Sequence, residues 1–168
     1  MIIGIVSSIV LVIVSILIHY EALRIVSALL PGPAWLGLHG RMLLVVLACF
    51  AAHTVEVWTF AGAYYLFADH FAFGSVAGEH EIGFVDLVYF SVVTYSTIGY
   101  GDLYPIGGTR LLAGVEAVTG LLLIGWSASF TYLVMERFWP LHPLRRRRHP
   151  GKGEAPATPQ RLWHRQSD

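Results

Sequence analysis

The sequence is poor in cysteine and in charged residues. Its single cysteine, Cys49, excludes a disulfide within the chain and a zinc site built from several cysteines. Charged residues make up 13% of the chain, against about 25% in typical globular proteins. Hydrophobic residues make up 55%, so too few polar side chains remain to cover the surface of a soluble domain. These values argue against a soluble enzyme and against disorder over most of the chain.

Positive charge is absent from the middle of the chain and concentrated at its end. No Lys or Arg lies between Met42 and Thr109, whereas eight of the eleven basic residues lie at or after Arg137. The positive-inside rule predicts a cytoplasmic C-terminus and places the acidic loop 68–109 on the opposite side of a membrane. We expect a multi-pass protein of the plasma membrane, specifically a bacterial inner membrane. With a net charge of zero, nucleic-acid binding is not indicated.

Three apolar segments are long enough to span a bilayer, which requires about 20 residues of helix. They run from Ile2 to about Tyr20, from Met42 to Phe67 and from Leu111 to Met135. A signal peptide is disfavoured for the first, because no positive residue precedes its long apolar run. We therefore predict an all-α membrane protein with an extra N-terminal span.

The segments around these spans are predicted from composition. Residues 1–33 comprise the N-terminal transmembrane helix and a Pro-Gly-Pro break, and residues 34–41 form a cytoplasmic linker. Residues 137–168 form a basic tail, which we predict to be disordered because it is rich in Pro, Arg and Gly. The tail includes a run that either fixes topology or binds anionic lipid: Arg145, Arg146, Arg147 and Arg148.

A short apolar segment and a glycine-containing motif lie between the second and third spans. The segment is about 13 residues long, so as a helix of roughly 20 Å it would reach only halfway across a bilayer. The motif is Thr97-Ile98-Gly99-Tyr100-Gly101-Asp102. Two glycines at alternate positions permit backbone angles that other residues avoid. Successive carbonyls can then face one axis and bind a dehydrated cation.

This motif in this context resembles the pore domain of potassium channels, as found in small two-span bacterial channels and in the pore-loop part of voltage-gated channels. The resemblance covers about Met42 to Met135, and every position of the family pattern Thr-x-Gly-Tyr-Gly-Asp is present. It implies a pore domain over residues 42–136 with these parts: outer helix 42–68, outer loop 69–83, pore helix 84–96, filter 97–102 and inner helix 110–136.

The resemblance also implies how the ion is held. The backbone carbonyls of Thr97, Ile98, Gly99 and Tyr100, with the Thr97 hydroxyl, would form the potassium sites, and Gly101 would complete the filter. One filter segment per chain implies a homotetramer in the bilayer, with potassium as the permeant ion and no other cofactor.

The positions expected to support the filter depart from the family in part. They are Tyr89, Phe90, Val93, Ser96 and Asp102. Tyr89 and Phe90 stand where many members have two tryptophans, and Val93 stands where some have a glutamate.

The third span carries small and polar residues on one side of a helical wheel. Such a face suits a water-filled cavity and supplies the candidate gating or cavity residues: Glu116, Thr119, Gly120, Leu123, Ser127 and Thr131. Gly120 falls where the family has a hinge glycine. The alternative is that the glycines only allow close helix packing. Glu116 is either a gating or filter-bracing carboxylate or a hydrogen-bonded structural residue.

His53 and Glu56 lie three residues apart on the second span and can touch. They form either a pH-sensitive pair or a structural hydrogen bond. A metal site is disfavoured, since two ligands are too few.

The function indicated by the sequence is a potassium-selective ion channel and not an enzyme. Two channel-like alternatives remain, a non-conducting regulatory subunit and a poorly selective cation channel. A membrane enzyme using His53, Glu56 and Glu116 would lack a nucleophile and would leave the motif unexplained.

Overall fold

The described residues form four helices and two short strands. The computed structural model describes residues 2–31, 37–70, 74–99 and 101–138. Along the chain the elements are α1 (Ile2–Leu29), α2 (Leu38–His70), β1 (Gly74–Ala77), α3 (Phe84–Tyr95), β2 (Tyr104–Gly107) and α4 (Thr109–Phe138). Helices α1, α2 and α4 are long and apolar enough to cross a membrane, and α3 is a shorter apolar helix. The predicted all-α membrane architecture is confirmed.

Several boundaries differ from those predicted. Helix α2 begins at Leu38, so residues 38–41 of the predicted linker 34–41 are helical. After Pro33 no proline restrains this stretch, and the Arg41 amide donates to the Gly37 carbonyl at 3.2 Å. Other predicted features lie outside the described residues: the Gly32-Pro33 break, linker residues 34–36, loop residues 71–73, Tyr100, and tail residues 139–168 with their arginine run.

A two-stranded antiparallel ribbon, which the sequence analysis did not predict, flanks α3. Gly74 pairs with Gly107 and Ala77 with Tyr104. The Thr109 hydroxyl, at the start of α4, lies 2.9 Å from the Ser75 carbonyl oxygen and 2.7 Å from that of Ile106. The ribbon therefore ties the loop before α3 to the beginning of α4. Strands of four residues are too short to show a periodic pattern.

Helix α1 has one buried stripe on an otherwise exposed apolar surface. The stripe faces α2 and α4 and contains Ser8, Ser15, His19, Leu23 and Val26. Small residues at such positions let membrane helices approach closely. The other faces carry exposed Ile, Val and Leu side chains, which suit lipid.

Two apolar clusters form the core, and buried polar side chains lie between them along the long helices. The first cluster surrounds α3 and includes Phe60, Tyr64, Phe67, Leu87, Phe90 and Leu112. The second joins the end of α1, the start of α2 and the end of α4, through Leu23, Val26, Leu30, Val45, Cys49 and Val134. The polar layer between them includes His19, Glu56 and Ser127, all buried.

Candidate functional site

Helix α3 is held in a cleft between α2 and α4 by its buried face. That face carries Leu87, Phe90, Ser91, Thr94 and Tyr95. The Phe90 ring is fully buried and meets the Tyr64 ring edge-on, with centroids 5.1 Å apart. With 12 residues, α3 is about 18 Å long, roughly half of a bilayer. It therefore ends at mid-membrane depth if it enters from one surface.

The first turn of α3 is closed by an acidic side chain. The Gly83 amide donates to the Asp86 carboxylate at 2.8 Å, and this hydrogen bond lowers the pKa of Asp86 below its ordinary value. His80 lies 3.5 Å from the same carboxylate. A carboxylate here satisfies an amide that the helix leaves unpaired and favours the positive end of the helix dipole.

The motif segment leaves α3 through a turn with unusual backbone angles. Thr97 has φ +59° and Gly99 has φ +102°. A positive φ is uncommon for a β-branched residue, and such strained angles concentrate at functional segments. The amides of Ile98 and Gly99 donate to the Val93 carbonyl at 3.0 and 3.4 Å.

The chain's own helices leave this segment uncovered. Ile98 is 77% exposed, and Thr97, Gly99 and Gly101 are exposed as well. Of the six motif residues, Tyr100 lies outside the described part.

The positions expected to support the filter divide between the two sides of α3. Phe90 faces the core, whereas the exposed Tyr89 hydroxyl donates to the Asp102 carboxylate at 3.3 Å. The negative charge of Asp102 raises the pKa of Tyr89. Val93 contributes its carbonyl, as described above, and the Ser96 hydroxyl donates to the Val92 carbonyl at 2.7 Å. The Tyr89–Asp102 bond thus connects α3 to the end of the motif.

Glu116 joins α4 to α2 and α3. Its carboxylate is fully buried and accepts hydrogen bonds from the Tyr64 hydroxyl and, at 2.5 Å, from the Ser91 hydroxyl. The Ser91 oxygen also lies 2.8 Å from the Val57 carbonyl oxygen. This geometry matches the structural interpretation of Glu116, because the carboxylate faces protein and not a cavity.

The face of α4 that the sequence assigned to a water-filled cavity packs against the chain's own helices. Glu116, Thr119, Leu123 and Ser127 are all buried, and Thr131 is half-buried. A Cβ atom added at Gly120 would lie 2.2 Å from the Tyr95 carbonyl oxygen. This assignment is therefore corrected. These residues do share one face of α4, as the helical wheel predicts. However, that face contacts the other helices of the same chain, because small and polar residues also suit close packing between helices.

The predicted His53–Glu56 pair belongs to a larger cluster, which we call the histidine ring: His19, His53, Glu56, Tyr95 and Ser127. His19 Nδ1 lies 3.0 Å from Glu56 Oε1, and His53 Nδ1 lies 3.2 Å from Glu56 Oε2. The Tyr95 hydroxyl donates to the Glu56 carboxylate and lies 2.9 Å from His53 Nδ1. Ser127 Oγ completes the ring, 3.0 Å from His53 Nε2 and 3.2 Å from His19 Nε2.

Sequence reasoning missed three members of the histidine ring. From the sequence, His19 belongs to an apolar span, Ser127 to the predicted cavity face, and Tyr95 to the predicted pore helix without a role of its own. The available signal was His19 itself, because an ionisable residue inside a spanning segment is expected to have a polar partner.

Comparisons with known proteins identify the family of the chain. Residues 52–137, just over half of the chain, match a protein-family profile described as an ion channel. Two-pore potassium channel 1 of Arabidopsis thaliana is 42% identical over 62 residues, which cover 35% of this chain and 17% of the relative. Two pore potassium channel b of Oryza sativa subsp. japonica is 37% identical over 75 residues, covering 43% and 20%.

A further potassium channel also matches over a short stretch of its sequence. The inward rectifier potassium channel Kirbac3.1 of Paramagnetospirillum magnetotacticum is 46% identical over 50 residues, covering 29% of this chain and 17% of the relative. The matches to these relatives thus span about a fifth of their length or less. No solved structure matches the chain significantly.

Proposed function

The chain belongs to the ion-channel family and has a pore domain of the potassium-channel kind, and from this we propose that it forms a potassium-selective channel. The observation that carries the proposal is the segment Thr97–Asp102, which follows a half-length helix with one buried face and is left uncovered by the chain's own helices. Irregular backbone at membrane depth is stable only where it is buried in protein or lines a water-filled path.

The backbone of this segment supports a carbonyl filter. The positive φ of Thr97 and Gly99 departs from both helix and strand, and it is under such angles that successive carbonyls can point the same way. Carbonyl oxygens from Thr97, Ile98, Gly99 and Tyr100, with the Thr97 hydroxyl, then replace the hydration shell of K⁺. Potassium acts as the permeant ion and not as a resident cofactor.

A homotetramer follows from the same segment. One chain supplies one row of carbonyls, which cannot surround an ion, whereas four rows around an axis can. Large apolar side chains on α4 are exposed in the single chain, among them Val118, Leu121 and Leu122. We assign these to the central cavity, to neighbouring subunits or to lipid.

The proposed orientation of the chain in the membrane is inferred from the distribution of charged residues. The basic tail after Arg137 favours a cytoplasmic C-terminus, and the acidic loop before the motif favours the outer side. A bacterial inner membrane and contact of the Arg145–Arg148 run with anionic lipid belong to the same proposal.

Flux through the purified full-length chain in liposomes, with potassium inside and sodium outside, tests the function. We expect potassium-selective flux that barium blocks and that Gly99→Ala abolishes. An alanine at Gly99 meets no atom within 4 Å, so the change acts through its φ of +102°.

Gly62→Ala is the matched control. Gly62 lies in α2, and a Cβ atom added there also meets no atom within 4 Å. The flux through this variant should equal that through the unmodified protein. Equal sodium and potassium flux would contradict selectivity. Silence from an intact tetramer under all conditions would favour a non-conducting regulatory subunit.

A further inference from the structure

The histidine ring brings the polar nitrogen and oxygen atoms of five side chains close together. Glu56 lies within hydrogen-bonding distance of His19, His53 and Tyr95, and Ser127 lies between the two histidines. The Tyr95 hydroxyl also lies 2.9 Å from His53 Nδ1, which makes six close pairs. The side chains of His19 and Glu56 are fully buried, so each of their polar atoms needs a partner inside the protein.

We propose that the histidine ring binds a divalent transition-metal ion of the zinc class through His19 Nδ1, His53 Nδ1 and the Glu56 carboxylate. Two histidines and one glutamate are an established zinc donor set. The donor atoms of all three residues lie within 4.8 Å of one another. His19 Nδ1 lies 3.0 Å from Glu56 Oε1 and His53 Nδ1 lies 3.2 Å from Oε2. Both distances are close to the separation of about 3.3 Å between neighbouring ligands in a tetrahedral zinc site, with the carboxylate binding through both of its oxygens.

The Tyr95 hydroxyl supplies the fourth position. It lies 2.9 Å from His53 Nδ1 and contacts the Glu56 carboxylate, so it borders two of the three ligands. Two imidazole nitrogens select zinc, copper, nickel or cobalt over the hard cations magnesium and calcium, which prefer oxygen ligands.

Ser127 is the residue that orients the ligands. With both Nδ1 atoms on the metal, each histidine carries its proton on Nε2, and both Nε2 atoms lie within 3.2 Å of Ser127 Oγ. A hydroxyl oxygen accepts two hydrogen bonds. Metal-binding histidines usually donate their second ring N–H in this way, which fixes the tautomer and the ring plane. With a metal ion bound, each ring nitrogen of His19 and His53 has either the metal or Ser127 Oγ as its partner.

An access route reaches the site from the surface of the chain. A cavity of about 320 Å³ is lined by His53 and Tyr95 together with Phe50, Trp58 and Ser96. The His53 side chain is 20% exposed, whereas those of His19 and Glu56 are fully buried. The ion would join α1, α2 and the last residue of α3, two positions before Thr97.

Isothermal titration of the full-length protein with zinc chloride tests the site without any measurement of ion flux. The tail histidines His142, His149 and His164 are first replaced by Gln in every sample, because they could bind zinc themselves. We expect about one ion per chain, loss of this binding in His19→Gln and in Glu56→Gln, and a higher melting temperature with zinc. His39→Gln is the matched control and should bind as the unmodified protein does.

A second variant covers the case in which His19→Gln fails to fold. Ser127→Ala keeps all ligands, and loss of an outer partner typically weakens metal affinity by about 10- to 100-fold. Cobalt added to the unmodified protein should show the visible absorption of a tetrahedral site. Absence of both zinc binding and this absorption would overturn the proposal, as would zinc binding that His19→Gln, Glu56→Gln and Ser127→Ala all leave unchanged.

Discussion

At the scale of single residues, Glu116 shows how a carboxylate is accommodated inside a spanning segment. It is fully buried and contacts the Tyr64 and Ser91 hydroxyls from two other helices. A charged or polar group at this depth is costly unless it is paired, so each donor contributes to the fold. Glu116 therefore connects helices before it can serve any role in gating.

Removing one of these donors should destabilise the protein. We expect Tyr64→Phe to lower the free energy of unfolding by about 1–3 kcal/mol, because a buried acceptor loses its partner. Tyr65→Phe is the matched control, since Tyr65 is the next residue of α2 and is 47% exposed. Thermal melting in detergent measures both. Equal melting temperatures would show that the Tyr64 hydroxyl contributes nothing.

The environment of Asp86 predicts that the stability of the protein depends on pH. Its pKa is lowered by the Gly83 amide, so the folded state favours the carboxylate. The stabilisation is therefore present above the unfolded pKa of about 3.9 and is lost as the pH falls through the lower folded value. The melting temperature of the unmodified protein should fall as the pH is lowered through this range. The fall should be smaller in Asp86→Ala, because this variant lacks the carboxylate. Glu81→Ala, in the same loop, should retain the full drop; identical curves for all three proteins would refute this role of Asp86.

At the scale of elements, the crossing of α3 and α4 depends on Gly120. An added Cβ would lie 2.2 Å from the Tyr95 carbonyl oxygen and 2.9 Å from its ring atom Cδ1. The first of these atoms is backbone, so the clash cannot be relieved by a side-chain rotation. The absence of a side chain at Gly120 thus lets the end of α3 pack directly against α4.

Gly120→Ala should destabilise the protein by about 1–3 kcal/mol or more, as overpacked sites do. Gly125→Ala, in the same helix, meets no atom within 4 Å and should be neutral or stabilising, because alanine is the better helix former. Melting temperatures of the two variants provide the comparison. A tolerated alanine at Gly120 would mean that α3 and α4 can separate there, as a hinge requires.

At the scale of the whole molecule, α4 exposes one face and buries the opposite one, and the buried face is the polar one that the sequence assigned to the cavity. The exposed stripe of α4 contains Gly114, Val118, Leu122, Gly125 and Ser129. These positions fall within about 40° of one direction on a helical wheel. We predict that this stripe, and not the polar face, lines the central path of the proposed tetramer.

Cysteine substitution distinguishes the two faces. Modification of Ser129→Cys by a thiol reagent should block flux, whereas Thr131→Cys, two residues away on the half-buried side, should not respond. The native Cys49 is buried, so the unmodified chain should be insensitive. If the reagent blocked flux in Thr131→Cys and not in Ser129→Cys, the polar face of α4 would line the cavity after all.

Much of the pore domain followed from sequence alone, because its signals are local. A run of apolar residues predicts a span regardless of its neighbours, and three helices of membrane length are present. The short segment before the motif is a helix from Phe84, and the motif carries positive φ at one of its two glycines, Gly99. Composition, segment length and glycine spacing were sufficient for these features.

Tertiary structure decided which polar residues meet. His19 and Ser127 are 108 positions apart and lie 3.2 Å from each other, and nothing in either local sequence marks the pairing. The cavity face was misassigned for the same reason, since a helical wheel shows which residues share a side but not what that side faces. Contacts between helices depend on how whole elements pack, so the histidine ring became visible only when α1, α2, α3 and α4 were brought together.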